Sequence, residues 1–400
     1  MNVIRKIYHR VFNTAMRAMI PLFPYREPTL ISDAKGVVEV LRGNGVTRAM
    51  LVSGKNVRGR GLTAPLEALM SEAGIACTVY DRTTPNPTSA NVEEALELYL
   101  AEGAQALIAF GGGSQMDCAK AVGARIVRPK KPLAKMAGLI KIRRRLPLFI
   151  AVPTTAGTGS EVTVASVITD SETHRKYVIN DFCLIPHYAL LDPAVTVGLP
   201  PELTATTGMD ALTHAVEAYV GRARTKATKA AAEEAVWLIL DSLERAYENG
   251  ADIEARANML RASYLAGTAF TKSYVGYVHA VAHTLGGRYG VAHGLANAVL
   301  LPKVLRAYGS SAVKRLAELA FAVGLVRSEC SAEDAAELLI SRIEEMNARM
   351  QIPTSLGCIA AEDIPAMARL ADKEANPLYP TPALWDAGEI EEIYRLVMAK

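Results

Sequence analysis

The chain has 400 residues, of which half are apolar and 21% are charged, and its formal net charge is +3. This length and composition predict a folded protein of roughly two to three average domains and exclude a largely disordered chain. A net charge this small argues neither for nor against nucleic-acid binding, and no apolar run reaches the roughly 18 residues that a membrane span needs.

The cysteines favour a reducing compartment. Five are present, they are scattered, and none forms a C-x-x-C pair. We therefore expect reduced thiols and a cytoplasmic protein, with neither a disulfide framework nor a zinc knuckle.

Residues 1 to 27 form a basic, partly apolar arm. Arg10 and Arg17 interrupt its apolar stretch and no small-residue cleavage site follows, so secretion is not expected. The favoured interpretation is an arm that packs on the body of the protein or on a second subunit. Contact with a membrane surface is the less favoured one.

Residues 28 to 195 alternate short apolar strands with helical runs. The strand segments are AMLVS, ACTVYD, ALIAF and LFIAVP, and the helical segments between them include APLEALMSEAG and NVEEALELYLAEG. This alternation predicts β-α-β units that form a Rossmann-like parallel sheet. A dinucleotide would bind at the carboxyl ends of its strands.

Two turns at that edge carry candidate ligand-binding groups. GGGSQMDCAKAVG, residues 111 to 123, follows ALIAF, and its glycines and the first N–H groups of the next helix suit a pyrophosphate. TTAGTGSEVT follows LFIAVP and offers hydroxyls and backbone donors. The usual G-x-G-x-x-G is absent, so ordinary structural turns are the alternative. The basic stretch 128 to 147 is interpreted as a solvated loop, not as a nucleic-acid site.

Residues 196 to 400 show helical periodicity, so we expect an all-helical second half with a boundary near residues 193 to 200. Segments such as TKAAAEEAVWLILDSLERAYENG and SAEDAAELLISRIEEMNARM place apolar residues three and four apart. Cofactor and substrate are expected to meet in a cleft between the two halves.

The second half contains a set of possible metal ligands. Asp210 and His214 lie four residues apart in one helical run, His279 and His283 repeat that spacing in another, and His293 follows a Gly-rich break. One carboxylate and three imidazoles from separate elements are a typical ligand set for a divalent transition metal, which leaves one histidine for chemistry. For any one histidine alone, a core or capping role is the alternative.

Six strings form a specific combination: PNPT (85 to 88), GGGSxxD (111 to 117), PTTAGTGSE (153 to 161), DPxxT (192 to 196), TGMDALTHAxEAY (207 to 219) and HxxxHxxGxxxxxxHG (279 to 294). Together they resemble the iron-containing (group III) alcohol dehydrogenase family, which has a dehydroquinate-synthase-like fold. The resemblance runs from about residue 28 to the end.

The resemblance implies that Asp210, His214, His279 and His293 hold the metal, Fe²⁺ or in some members Zn²⁺. It implies that His283 lies near the reacting carbon and transfers protons. It also implies at least a homodimer and a set of cofactor-binding positions: Gly54, Asn86, Gly112, Gly113, Ser114, Asp117, Thr154, Thr155, Thr158, Thr163 and Lys176.

One departure from the family pattern bears on the cofactor. Many NAD-preferring members have V-T-D-K after the first strand, and this chain has V-S-G-K, with Gly54 at the Asp position. Loss of that carboxylate removes the repulsion that a 2′-phosphate would meet, and Lys55, Arg58 and Arg60 follow closely enough to pair with it. We therefore expect NADP(H) to be preferred over NAD(H).

The sequence thus predicts reversible hydride transfer between a primary or short secondary alcohol and a nicotinamide. The alternatives are a glycerol-dehydrogenase- or dehydroquinate-synthase-like zinc enzyme of the same fold, a non-catalytic binding protein that retains the fold, and a nucleic-acid- or membrane-surface-binding protein.

Overall fold

The computed structural model describes residues 1–327 and 329–399, apart from the side chain of Pro21. The chain divides into two compact units. Residues 24 to 198 form an α/β unit. Residues 1 to 23, which include helix α1 (Val3–Met19), group with the chain from Leu199 onward as a helical unit.

The α/β unit is built on a parallel sheet. The strands of the α/β unit, in both of its sheets, are β1 (Thr29–Ile31), β2 (Arg48–Val52), β3 (Ala76–Tyr80), β4 (Ala106–Gly111), β5 (Gly138–Leu139), β6 (Leu148–Pro153), β7 (Ala165–Thr169), β8 (Lys176–Asn180) and β9 (Tyr188–Leu190). Its helices are α2 (Ala34–Gly43), α3 (Lys55–Gly59), α4 (Ala64–Glu72), α5 (Ser89–Ala101) and α6 (Gly113–Val127). Among the described residues the large sheet has the order β1-β9-β6-β4-β2-β3, and every pairing in it is parallel.

The sequence of β4 explains why this sheet lies inside the unit. All six residues of ALIAFG are buried, and the apolar cores on the two faces of the sheet share strands β2, β4 and β6. A parallel strand covered on both faces is a continuous apolar run, not an alternating one. The prediction of a parallel sheet is confirmed.

A second, smaller sheet was not predicted. It has the order β5-β8-β7, with β7 antiparallel to β8, and Val167 and Val178 on its strands are exposed. Strands with this many exposed residues lack a strong apolar pattern, which is why they were not predicted from the sequence.

The helical unit confirms the predicted change of structural class. After α1, its helices are α7 (Pro201–Val220), α8 (Lys226–Glu248), α9 (Ile253–Ser273), α10 (Tyr277–Tyr289), α11 (His293–Ala307), α12 (Ser310–Ala322), α13 (Ala332–Arg349), α14 (Ile364–Ala375) and α15 (Ala387–Val397). Helix α7 is its centre, because residues 208 to 220 of that helix are all buried. None of the helices formed by the described residues combines the length and apolarity of a membrane span.

Candidate metal centre and nucleotide-binding turns

Three helices of the helical unit bring four possible metal ligands together. Asp210 and His214 lie one turn apart on α7, His279 is in the first turn of α10, and His293 is the first residue of α11. One ligand atom from each side chain lies within 4.8 Å of the other three. The Asp210 Oδ1 atom is 3.4 Å from His293 Nε2 and 4.0 Å from His279 Nε2. These are the four residues that were predicted from the sequence as metal ligands.

The chemistry of this donor set fits a divalent transition metal. One carboxylate oxygen and three imidazole nitrogens suit both iron and zinc. Asp210, His214 and His279 are buried, whereas the His293 side chain is 40% exposed. The His214 ring is stacked between Phe270 and His279, with ring centroids 4.1 Å and 4.5 Å apart, so its orientation is fixed by packing.

A close helix contact places His293 against α7. A Cβ atom on Gly294 would lie 2.3 Å from the backbone oxygen of Thr206. Only glycine permits this approach, because real Cβ atoms do not come within 3 Å of a backbone atom. The glycine after His293 is therefore part of what positions that ligand.

Glu217 fixes the orientation of His279. Its buried carboxylate accepts hydrogen bonds from the backbone N–H groups of Gly276 and Val278, both at 2.8 Å, and lies 2.7 Å from His279 Nδ1. A Cβ atom on Gly276 would lie 2.6 Å from Glu217 Oε1, so glycine is needed there. With its Nδ1–H directed at Glu217, His279 turns the Nε2 lone pair towards Asp210.

The protonation of this pair suits metal binding. Burial, and then the neighbouring histidines, hold the pKa of His279 well below its usual value, which keeps the imidazole neutral. Burial also raises the pKa of Glu217 to about 7, against the opposing effect of the Gly276 and Val278 N–H groups. A neutral imidazole is the form of histidine that ligates metals.

Asn297 lies among the ligands. It is fully buried on α11, one turn after His293, and its Nδ2 atom is 2.6 Å from Asp210 Oδ1. The same Nδ2 atom is 3.3 Å from His279 Nε2 and 3.2 Å from His293 Nε2. An amide donor therefore contacts three of the four ligand side chains.

His283 is held beside the ligands by a carboxylate. Its ring stacks on that of His293 at 5.3 Å, and its Nδ1 atom is 2.6 Å from Glu374 Oε1. The Tyr379 hydroxyl donates to the same oxygen at 2.8 Å. Burial alone would raise the pKa of Glu374, but His283 and Tyr379 outweigh it and leave the pKa lowered. The carboxylate is thus available to accept the His283 Nδ1–H.

In the α/β unit, the two predicted turns pack against each other after β4 and β6. A Cβ atom on Gly112 would lie 3.1 Å from Thr155 Oγ1, and one on Gly113 would lie 2.9 Å from Thr158 Cγ2. The Thr154 N–H donates to Gly111 O at 3.0 Å. The glycines therefore allow the Thr-rich turn to lie beside the start of α6, where Ser114 is half-buried.

The side chains of Asp117 and Thr163 form hydrogen bonds inside the α/β unit. The buried Lys120 Nζ atom donates to the Thr163 hydroxyl at 2.8 Å, to Ser160 and Thr163 carbonyls at 2.7 Å and 3.0 Å, and to Ala165 O at 2.9 Å. Asp117 accepts hydrogen bonds from the Ser160 hydroxyl and the Val167 N–H. The polar groups of Asp117 and Thr163 are thus engaged inside the unit.

Two further predicted cofactor positions, Asn86 and Lys176, contact each other in the α/β unit. Asn86 has a φ of 56°, and its side chain accepts a hydrogen bond from Lys176 Nζ at 2.8 Å. Both residues are exposed.

The three cations near Gly54 differ in their partners. The Arg58 guanidinium is paired with Glu67 and also donates to Thr63. Arg60 donates to Gly198 O at 2.8 Å, and Lys55 is exposed at the start of α3. Arg58 is therefore the one of these three cations that is neutralised by an acidic side chain in the described structure.

Sequence reasoning did not assign Glu217, Asn297, Glu374 or Lys120. Helical spacing could have indicated two of them, because Glu217 follows His214 by three residues and Asn297 follows His293 by four. Lys120 lies in the Gly-rich motif, but nothing in the sequence shows that its ammonium is buried. Glu374 is 91 residues beyond His283, and no local pattern connects the two.

Two family models together match most of this chain. Residues 32–193 match the model described as iron-containing alcohol dehydrogenase, and residues 204–398 match the C-terminal model of the Fe-containing alcohol dehydrogenase family. The chain is 39% identical over 381 residues to 1,3-propanediol dehydrogenase from Citrobacter freundii, covering 94% of this chain and 97% of that one.

Solved structures of two enzymes superpose closely on this chain. A crystal structure of 1,3-propanediol oxidoreductase superposes with a TM-score of 0.89 at 37% identity, covering 94% of this chain and 98% of the other. Sulfoacetaldehyde reductase from Bifidobacterium kashiwanohense, solved in complex with NAD⁺, gives 0.84 at 26% identity, with coverage of 94% and 99%. This chain therefore belongs to the iron-containing alcohol dehydrogenase family and is an alcohol oxidoreductase.

Proposed function

We propose that this protein interconverts a short primary or secondary alcohol and its carbonyl compound with NADP(H), at a divalent metal held by Asp210, His214, His279 and His293. The observation that carries the proposal is the approach of these four donor atoms to within 4.8 Å of one another. Iron is the metal that the family membership supports.

Neighbouring side chains orient two of the four proposed ligands, His279 and Asp210. A divalent ion in this position supplies Lewis-acid polarisation of an alcohol or carbonyl oxygen. Glu217 keeps His279 in the tautomer that presents Nε2, and Asn297 holds the Asp210 carboxylate by a hydrogen bond of 2.6 Å. Side chains that are oriented before the metal binds do not have to be ordered during binding.

His283 is the proposed proton-transfer residue. Its side chain is 43% exposed, so protons can exchange with solvent, and Glu374 accepts from its Nδ1 atom. We propose that the other ring nitrogen, Nε2, exchanges a proton on the substrate side. Tyr379 holds Glu374 through its hydroxyl.

The α/β unit is the proposed nucleotide-binding part. The backbone N–H groups at the start of α6, with Gly112, Gly113 and Ser114, suit a pyrophosphate. Thr154, Thr155 and Thr158 of the adjacent turn, with Asn86 and Lys176, are the proposed contacts along the rest of the cofactor. We propose supporting roles for Asp117 and Thr163, because Asp117 is engaged by Ser160 and Val167 and Thr163 by Lys120.

The proposed preference for NADP(H) rests on Gly54 and two cations. No carboxylate stands at position 54 to repel a 2′-phosphate, and Lys55 and Arg60 follow it. A guanidinium or ammonium beside a phosphate forms strong charge-assisted hydrogen bonds.

The test is a metal analysis of anaerobically purified protein together with reduction of short aliphatic aldehydes by NADPH and by NADH. We expect bound iron or zinc and a higher kcat/KM with NADPH. His279→Ala should lose metal and turnover together, whereas His174→Ala, at an exposed histidine of the α/β unit, should retain both. Full metal occupancy in His279→Ala would refute the ligand assignment, and an equal or higher kcat/KM with NADH would refute the cofactor preference.

A further inference from the structure

Helix α1 packs on the helical unit through its polar side. The Arg5 guanidinium binds Asp372 Oδ1 at 2.6 Å, and Asn13 Nδ2 donates to Pro377 O at 2.7 Å. Arg10 donates to the carbonyls of the segment that follows, Thr381 O at 2.7 Å and Pro382 O at 2.6 Å. These charged and amide contacts fix which side of the helix faces the protein.

The opposite side of α1 is apolar and exposed. We call it the outer face, and it consists of Val3, Ile4, Ile7, Tyr8 and Val11. Ile4 is 81% exposed, Val11 is 63% exposed and Ile7 is 59% exposed. Residues three, four and seven apart lie on one side of a helix, so this is one continuous stripe. A surface helix of a globular protein normally shows the reverse arrangement, with its apolar side buried.

Helix α1 carries no acidic residue, and the two acids of the helical unit beside its first turn, Asp386 and Glu389, are paired with the Met1 amino group. Residues 1 to 26 contain no Asp or Glu, and Lys6 and Arg17 are exposed on one flank of the stripe. The helical unit adds a further cation near this flank, because the Arg222 N–H donates to Pro380 O at 2.6 Å, next to the Thr381 carbonyl that Arg10 contacts. Arg222 itself is exposed. The flank of the stripe that carries Lys6 and Arg17 is therefore basic.

We propose that α1 binds the surface of an anionic phospholipid bilayer, with the outer face among the acyl chains and the basic flank over the lipid phosphates. An exposed apolar stripe bordered by Lys and Arg is typical of helices that lie in the membrane interface. A second copy of α1 would bring a basic flank against a basic flank, and the helix itself contains no acid to compensate, so charge favours the bilayer over self-association. Residues 1 to 31 lie outside both family matches, so this surface is separate from the catalytic assignment.

The test is flotation of the full-length protein with vesicles. One set contains phosphatidylglycerol and phosphatidylcholine in equal parts, and the other contains phosphatidylcholine alone. We expect binding to the anionic vesicles that weakens as salt is raised. Ile4→Ser combined with Val11→Ser should weaken it at least about tenfold, and Lys6→Gln combined with Arg17→Gln should weaken it about thirtyfold.

Leu338→Ser is the matched control, since Leu338 is an exposed aliphatic residue on α13. It should leave vesicle binding unchanged, and all variants should retain the wild-type alcohol dehydrogenase activity and melting temperature. Equal binding to both kinds of vesicle, or undiminished binding by the Ile4→Ser/Val11→Ser variant, would overturn the proposal. The proposal would also be overturned if the wild type did not bind vesicles and the Ile4→Ser/Val11→Ser variant had a lower mass than the wild type in sedimentation. The outer face would then be a contact between copies.

Discussion

The side-chain amide of Asn297 donates to the Asp210 carboxylate at 2.6 Å, inside the set of proposed metal ligands. The two residues come from different helices, α11 and α7, and both are buried. The same amide also lies 3.3 Å from His279 Nε2 and 3.2 Å from His293 Nε2, so Asn297 contacts three of the four proposed ligands. A neutral donor at that point keeps a carboxylate and two imidazoles close together without a charge of its own.

Asn297→Ala should weaken metal binding. The substitution removes the donor that orients Asp210, and loss of a hydrogen bond to a metal ligand typically costs about 10- to 100-fold in affinity. Metal content after dialysis against graded concentrations of a chelator measures the change. Asn347→Ala is the control, because Asn347 is also a buried asparagine but donates to Ala298 O. Equal metal retention by the two variants would show that Asn297 does not position the ligands.

Glu217→Gln should also weaken metal binding, by a different route. In glutamine an NH₂ donor replaces one of the two acceptor oxygens. This donor would face either a backbone N–H or the His279 Nδ1–H, and two donors cannot form a hydrogen bond with each other. His279 would therefore lose its fixed orientation. We expect a loss of about 10- to 100-fold in affinity, measured by titration of the metal-free protein with Zn²⁺. Glu233→Gln, which alters a hydrogen bond from Tyr219 and an ion pair with Lys229 on the same unit, should bind Zn²⁺ as the wild type does. Wild-type affinity in Glu217→Gln would count against the role of this carboxylate.

The sequence revealed the parts of this structure that depend on local spacing. Asp210 and His214 share a helical face because they are four residues apart, and the buried run ALIAF could only be an interior strand or helix segment. The carboxylate for His283 could not be found in this way. Glu374 meets that histidine only after α14 has folded against α10, and a pairing across 91 residues leaves no periodic signal.

The partners of charged residues were equally hidden. Lys55, Arg58 and Arg60 look alike in the sequence, yet Arg58 is neutralised by Glu67 in the structure. Helix α1 has an ordinary amphipathic pattern, and nothing in that pattern shows that its polar side faces the protein. Such choices depend on tertiary contacts, which the linear pattern does not contain.

Lys120→Met should destabilise the α/β unit. Its Nζ atom is fully buried, and the substitution leaves carbonyl and hydroxyl oxygens of Ser160, Thr163 and Ala165 without their donor. An acceptor left unsatisfied in the interior costs about 1–3 kcal/mol, so we expect a loss of about 3 kcal/mol or more in the free energy of unfolding. Urea denaturation measures it. The exposed Lys135→Met should change stability by less than about 0.5 kcal/mol, and a similarly small change for Lys120→Met would contradict the prediction.

Gly54→Asp should reduce the preference for NADPH. A carboxylate at this position repels a 2′-phosphate and can accept hydrogen bonds from a ribose instead. A Cβ atom there would lie 2.7 Å from Gln115 Nε2, the far end of a flexible side chain, and 3.2 Å from the backbone oxygen of Thr83, so the Gln115 side chain must move and the Thr83 backbone must give by a few tenths of an ångström. We expect the ratio of kcat/KM for NADPH to that for NADH to fall at least about tenfold. Gly54→Asn has the same size without the charge, and an equal fall in that variant would show that bulk, not charge, is responsible.

His283→Ala should keep the metal and lose rate. The residue is not among the four converging ligands, and removal of a general acid–base group typically lowers kcat about 10²- to 10⁴-fold. Glu374→Gln should have a smaller effect, because the His283 ring remains but loses its charged acceptor. Tyr379→Phe should have the smallest, since it removes only the hydroxyl that holds Glu374. Metal analysis and steady-state aldehyde reduction on the three variants test this order. If Glu374→Gln retains the wild-type kcat while His283→Ala does not, His283 acts without the carboxylate, and the 2.6 Å contact between them only stabilises the fold.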